Sequence, residues 1–164
     1  MALTKVIGSG LGAIPAISGA NLTGLTAGQL PAGSIIQVKE GRLTSQFSTT
    51  STSFTNTGLS LDITPTDNNN KILLTANFSF YHANAFAIAT ILRGSTNIGH
   101  SSAGLAQLHA GGGSQGSSAS MHILDNPQTA SEISYYCHML VQSGTGYFNI
   151  NTTPAILTAM EVVV

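Results

Sequence analysis

The segment Gly112–Gly116, GGSQG, fits the G-x-S-x-G pattern that carries the nucleophile of many hydrolases. Ser114, Asp125 and His138 also follow one another in the order that such enzymes use for nucleophile, acid and base. That chemistry requires a sharp turn between a strand and a helix, beneath a parallel sheet, and the three residues span too little chain to build one. The Gly/Ser-rich composition around Ser114 predicts a loop instead of an active site.

A second pattern, GSGLGA at Gly8–Ala13, fits the glycine motif of dinucleotide-binding folds. That motif must open a helix and be followed about twenty residues later by an acidic residue. Pro15 and Gly19 interrupt any helix here, and the first acidic residue is Glu40. The pattern therefore indicates a glycine-rich segment and predicts no cofactor.

Cys137 and His138 are neighbours on a predicted strand, so their side chains point to opposite faces and cannot act as a nucleophile and base pair. The lone cysteine also excludes an intramolecular disulfide, and a buried structural thiol is expected. None of the five histidines stands at metal-ligand spacing: His82, His100, His109, His122 and His138. A metal site built from distant strands or around a symmetry axis remains an alternative. No catalytic, cofactor-binding or metal-binding residue is predicted, and we expect the protein not to be an enzyme.

Charge is scarce throughout the chain. Only 7% of the 164 residues are charged, against roughly 25% in typical soluble proteins, and the formal net charge is -1. No basic cluster is present that would serve nucleic acid as a partner. A surface with so little charge is typical of a protein that other chains cover.

The first twenty residues, MALTKVIGSGLGAIPAISGA, lack the unbroken apolar run of an export signal because glycines and Pro15 interrupt them. No run in the chain is long enough to span a membrane as a helix. We therefore expect synthesis in the cytoplasm and no membrane partner.

Residues 1–34 are predicted to form an extended N-terminal arm. Lys5 is their only charge, and neither a helical nor a strand period persists. Fully extended, the arm would reach about 110–120 Å, enough to cross a neighbouring subunit. The alternative is a flexible linker, but a linker does not require regularly spaced apolar side chains. Six of these are predicted to anchor the arm on partner subunits: Leu11, Ile14, Ile17, Leu22, Leu25 and Leu30.

Residues 35–164 change to a period of two and are predicted to form a head domain. KILLTANFSFYH and EISYYCHMLV place apolar side chains on one face and mostly polar ones on the other, as half-buried antiparallel strands do. The fold class is therefore all-β, an antiparallel β-sandwich or jelly roll preceded by the arm. The predicted core comprises Leu61, Ile72, Leu74, Phe78, Phe80, Ile133, Tyr135 and Met139.

Polar turn segments separate the predicted strands, including TPTDNNNK, HAGGGSQGSS and QSGTG. Further strands are predicted at Ile35–Val38, Leu43–Phe47, Ala85–Leu92, Met121–Leu124, Tyr147–Thr152 and Ala155–Val164.

Residues 54–164 resemble a domain of tailed-phage virion proteins. The shared patterns are T-G-L-x-x-x-I-T-P-x-x-x-x-x-K-I-L, L-R-x-x-T-x-I-G, L-D-x-P-x-T and a last strand with T-x-M-E. They occur here, in order, within FTNTGLSLDITPTDNNNKILLTANFSF, ILRGSTNIG, HILDNPQTASEISYYCHMLV and AILTAMEVVV. The chain departs from the family in its Gly/Ser-rich insert at Gly111–Ser120.

The resemblance implies a β-sandwich head that forms a homotrimer, broadly like tumour necrosis factor heads, and a place in the virion. Such domains occur in tail fibres, receptor-binding tips and capsid decoration proteins. The chain contains no repeat or coiled coil that could form a fibre shaft. We therefore expect a capsid decoration (cement) protein on the outer surface of the capsid, which binds the major capsid protein through its arm. The alternative is a tail-fibre or receptor-binding tip that recognises the host surface.

Overall fold

A computed structural model describes residues 29–83, 85–150 and 153–164, and these form two packed antiparallel sheets with no α-helix among them. The strands are β1 (Ile35–Leu43), β2 (Phe47–Thr49), β3 (Thr55–Ile63), β4 (Lys71–Ala83), β5 (Phe86–Arg93), β6 (Thr96–Asn97), β7 (Ala106–His109), β8 (Ser114–Asp125), β9 (Ile133–Val141), β10 (Gly146–Phe148) and β11 (Ala155–Val162).

Sheet A is organised around β4. On one side β4 pairs with β11 and, further along, with β10. The outer neighbours of these two strands are β1 and β2. On its other side β4 pairs with β8 over the full length of both, from Ile72 opposite Asp125 to Ala83 opposite Ser114. The sheet is thus four strand positions wide, with β1 and β8 at its edges.

Sheet B has the order β3-β9-β5, with the short strands β6 and β7 both paired to β5. It is likewise four positions wide. From β2 to β5 and from β7 to β10, consecutive strands lie in different sheets, so these connections cross from one sheet to the other. The predicted all-β sandwich is confirmed.

The core lies between the sheets and contains all eight predicted core residues. Phe78 stacks on Phe148 at 4.5 Å between ring centroids and meets Phe80 edge-on at 4.7 Å. Each buried aromatic side chain of this size stabilises the fold by about 1.5–3 kcal/mol through removal of apolar surface from water. The alternation of β4, with even-numbered residues inward from Ile72 to His82, follows the sequence period.

Gly41 lies where β1 crosses close to β3. A β-carbon there would overlap the backbone carbonyl of Ser60, so no other residue fits without moving the strands apart.

Several sequence predictions of local structure are wrong. The predicted strand Leu43–Phe47 is interrupted between the end of β1 and the start of β2, where the Asn149 side chain donates to the carbonyls of Leu43 and Ser45 at 3.0 Å each, in place of a strand partner. Ser114 does not lie in a loop: it begins β8, because the long β4 offers a partner for every residue of the Gly/Ser segment from Ser114 onward.

The short strands β2, β6 and β7 were not predicted. Of the predicted strand Tyr147–Thr152, Tyr147 and Phe148 belong to β10, Asn149 and Ile150 belong to no strand, and residues 151 and 152 lie outside the described residues.

Candidate interaction surface

Glu161 is a fully buried carboxylate whose hydrogen-bond donors, among the residues that the structure describes, are all uncharged. Its Oε1 accepts hydrogen bonds from the backbone nitrogen and hydroxyl of Thr66 at 2.7 and 2.8 Å and from Asn70 Nδ2 at 2.8 Å. Gln37 Nε2 donates to Oε2 at 3.1 Å. Burial alone would raise the pKa of Glu161, but the hydrogen bonds from Asn70, Thr66 and Gln37 together hold that pKa below its ordinary value. These four residues, the Glu161 cluster, tie the TPTDNNNK turn to β1 and β11.

A second buried group joins β5, β8 and β9. Arg93 Nη1 donates to both oxygens of Asp125 at 2.9 and 3.0 Å, and the Tyr135 hydroxyl donates to Asp125 Oδ2 at 2.6 Å. Burial and this hydrogen bond to Asp125 raise the pKa of Tyr135, so the phenol stays protonated. Because β8 belongs to sheet A while β5 and β9 belong to sheet B, this Asp125 cluster fastens one sheet to the other.

Three fixed positions of the phage-like patterns, Arg93, Asp125 and Glu161, belong to these clusters, whereas Thr66 and Asn70 occupy the variable part of the first pattern. The two carboxylates accept hydrogen bonds from neighbouring elements of the sandwich. These three fixed positions therefore help to hold the fold together.

Other fixed positions lie on the outer face of sheet A, in a line of four apolar residues that crosses the whole sheet. Val38 on β1 is opposite Met160 on β11, Met160 is opposite Leu73 on β4, and Leu73 is opposite Leu124 on β8. Directly opposed residues share a face, so these four side chains form a continuous apolar row. Leu73, Leu124 and Met160 are fixed positions of the patterns.

The apolar row is open to solvent at both ends. Val38 is 58% exposed and Leu124 51%, while Leu73 and Met160 are half-buried by their neighbours. Ile35, paired with Val162, lies beyond the row on the same face and is 53% exposed. The described residues include four large hydrophobic side chains that are more than half exposed, namely Ile35, Val38, Leu124 and Val164, and the first three of them share this face.

Sequence reasoning missed this surface. The available signal was local: in KILL and in AMEV, apolar residues occupy both phases of the strand alternation. Leu73 and Met160 therefore stand on the outward faces of their strands, which the period of two alone assigns to solvent.

The three residues that follow the hydrolase order in the sequence, Ser114, Asp125 and His138, do not come together in the structure. Ser114 and Asp125 are the first and last residues of the twelve-residue β8, roughly 36 Å from each other at strand spacing. His138 lies on β9 in sheet B, and Asp125 is engaged by Arg93 and Tyr135. No catalytic arrangement of the three is present.

Cys137 and His138 point to opposite faces of β9, as predicted. Cys137 is fully buried in the core, and burial raises the pKa of its thiol to about 12. His138 points outward and is half-buried. Burial lowers its pKa, which a hydrogen bond with the Phe54 backbone offsets in part. The thiol is therefore protonated and away from any base.

The other histidines have separate local roles. His82 is buried and donates from Nε2 to the carbonyl of Ser143 at 2.8 Å. His109 stacks on Phe86 at 4.1 Å, and His100 Nδ1 accepts from the backbone nitrogens of two following residues. Within 29–83, 85–150 and 153–164, no three histidine, cysteine, aspartate or glutamate side chains are grouped so as to hold a metal ion.

Of the six arm anchors, only Leu30 falls within the described residues, where it is partly buried. Leu11, Ile14, Ile17, Leu22 and Leu25 lie outside them. The described chain enters the sandwich beside its C-terminal end, where the Gly33 nitrogen donates to the Val163 carbonyl at 2.8 Å. In the described part of the chain, no helix has the length and apolarity needed to cross a membrane.

In the described residues the chain is an all-β sandwich of two antiparallel sheets. No protein-family model and no curated protein sequence matches it. Among solved structures it is similar to a chain in the structure of infectious bursal disease virus Gx strain, with a TM-score of 0.41 and 12% sequence identity. The match covers 78% of this chain and 37% of that one, so this chain spans little more than a third of the other's length. The likeness is distant and lies in the fold alone.

Proposed function

We propose that the protein is a structural protein of a tailed-phage virion, specifically a capsid decoration (cement) protein. In this proposal the head forms a homotrimer on the outer surface of the capsid, and the N-terminal arm binds the major capsid protein and so stabilises the shell. The alternative of a flexible linker at residues 1–34 predicts no such binding.

One observation carries the proposal. The fixed positions of the phage-like patterns include buried groups that hold the sandwich, such as Asp125 and Glu161, and also outward apolar residues such as Leu73 and Met160. The buried groups support a fold shared with the phage proteins that this chain resembles. The outward apolar residues support an interaction surface shared with them, since a contiguous exposed apolar patch marks a site that another protein covers.

The distribution of polar groups supports a structural role over an enzymatic one. Acidic side chains that reach the interior accept hydrogen bonds from fixed partners, and Cys137 is a protonated core thiol. We therefore propose that the protein has no catalytic activity and needs no cofactor.

The arm is tested by mixing purified full-length protein with undecorated shells and sedimenting them. The full chain should pellet with the shells, whereas a form lacking Met1–Gly33 should stay in the supernatant. Circular dichroism must show that the truncated head keeps its β spectrum. Equal binding of both forms would contradict the role of the arm.

A receptor-binding tip is the second candidate, and one feature favours it. Tyr81 and Tyr147 lie edge-on at 5.6 Å on the outer face of sheet A and, with Gln46 and Ile150, line a shallow hollow of about 190 Å³. An aromatic pair beside an amide suits a sugar ring. Quantifying the protein in purified virions separates the candidates, because a cement protein should rival the major capsid protein in copy number and a tail tip should be rare.

A further inference from the structure

We infer that the outer face of sheet A is the surface through which copies of this chain bind one another, with the apolar row at the centre of the contact. The inference rests on the proposed function in one respect: it assumes that the protein assembles as a homotrimer. It assigns the contact surface, which neither the resemblance nor the composition specifies.

The two outer faces of the sandwich differ in how their apolar residues are covered. On sheet B, Ile88 and Leu140 oppose each other and are only 5% and 9% exposed. Thr52, Ser53, Ser101 and Ser102 from the neighbouring loops form the hydroxyl-lined walls around them. On sheet A, no described loop covers the row from Val38 to Leu124. Sheet A is therefore the face with apolar surface still to be buried.

The size of the face matches a stable protein contact. Four strands at about 4.8 Å spacing and thirteen residues of β4 at about 3.3 Å give a projected area on the order of 800 Å². A standard specific interface buries about 800 Å² on each partner. The apolar row extends from edge strand to edge strand, so in a trimer the face of each copy can contact both neighbouring copies around the threefold axis.

Charge on this face also suits a second copy. Lys71 stands on one side of the apolar row, in line with Val162. Glu40 stands on the other, in line with Thr158. Opposite charges flanking one row let Lys71 of one copy approach Glu40 of the next. With a formal net charge of -1, the chains scarcely repel each other.

The test compares full-length proteins by light scattering and analytical ultracentrifugation at micromolar concentration. Wild type should have about three times the chain mass. The double variant Val38→Lys/Leu124→Lys should have the mass of one chain, with a dissociation constant raised at least about 100-fold, a tenfold loss for each buried lysine. Both positions are exposed in the single chain, so the variant should fold. The control Ser60→Lys/Thr96→Lys adds the same charge at exposed positions of sheet B and should remain a trimer.

A double variant that keeps the wild-type mass would overturn the inference. A monomeric wild type would also overturn it. Two further measurements would then show what covers the outer face of sheet A. Loss of shell sedimentation by Val38→Lys/Leu124→Lys would assign the face to a coat subunit. Thiol labelling of Leu124→Cys that succeeds only after removal of Met1–Gly33 would assign it to the chain's own N-terminal segment. If instead the trimer forms and the lysines dissociate it, but no form binds shells, the inference stands and the cement function fails.

Discussion

At the scale of single residues, Glu161 shows how a strongly polar group is accommodated in an apolar interior. Within the described part of the chain its charge has no cationic partner, and three neighbouring residues supply four hydrogen bonds instead. A buried carboxylate with this many donors remains ionised, because the donors favour the charged form. Its stability contribution therefore depends on pH.

We predict that Glu161→Gln lowers the free energy of unfolding at pH 7 by about 2–3 kcal/mol, because an amide accepts these bonds less well and brings an unwanted donor. The folded-state pKa is lowered. The carboxylate thus stabilises the fold above the unfolded value of about 4.3, and this contribution is lost as the pH falls through the folded value. Urea unfolding should show a gap between wild type and variant that narrows below about pH 4. The exposed Glu40→Gln serves as control, and a gap independent of pH would contradict the role of the charge.

We also predict that Ser114→Ala and His138→Ala cause no loss of hydrolysis, since the wild type should turn over no ester or glycan substrate. Ser114 and Asp125 stand at opposite ends of β8, which leaves no triad to disable. Turnover by the wild type that disappears in Ser114→Ala would disprove the non-enzyme proposal.

At the scale of elements, the long strands could be predicted because one buried face imposes a period of two. β3, β4, β9 and β11 all follow that period. The start of β8 could not, since SQGSSAS has little intrinsic strand preference and is a strand because β4 pairs with it. The break after Leu43 likewise depends on Asn149, more than one hundred residues away. The apolar row assembles from four strands, and only register brings its members together.

Gly41 provides a test of the approach of β1 to β3. Gly41→Ala should lower the free energy of unfolding by about 1–3 kcal/mol, because its methyl group overlaps the Ser60 carbonyl and forces the backbone to shift. Thermal or urea unfolding measures this. Gly113→Ala, where an added methyl group meets nothing within 4 Å, should leave stability nearly unchanged. Equal effects of the two substitutions would mean that β1 and β3 are further apart than described.

At the scale of the whole molecule, the N-terminal segment and the outer face of sheet A would act together in a cement protein. The segment enters beside Val163, and Ile35, the first residue of β1, stands on the same face as the apolar row. A trimer that buries this face would therefore bring three arms to one end of the assembly. Three linked arms bind far more tightly than one, because each later contact is intramolecular.

Shells decorated with the full chain should consequently withstand higher temperatures than bare shells. Heating the particles and following the release of their contents by dye fluorescence measures this. The form without Met1–Gly33 should give no protection, and Val38→Lys/Leu124→Lys should protect less than wild type because its arms act singly. Full protection by the truncated form would favour the tail-tip alternative.

The position of β11 has a consequence for biosynthesis. Among the described strands the last, β11, lies between β1 and β4, so sheet A is divided until residues 155–162 are available. In sheet B, the late strand β9 similarly joins β3 to β5. The nascent protein therefore exposes unpaired strand edges until residues 155–162 have left the ribosomal tunnel, and the sandwich can close only then.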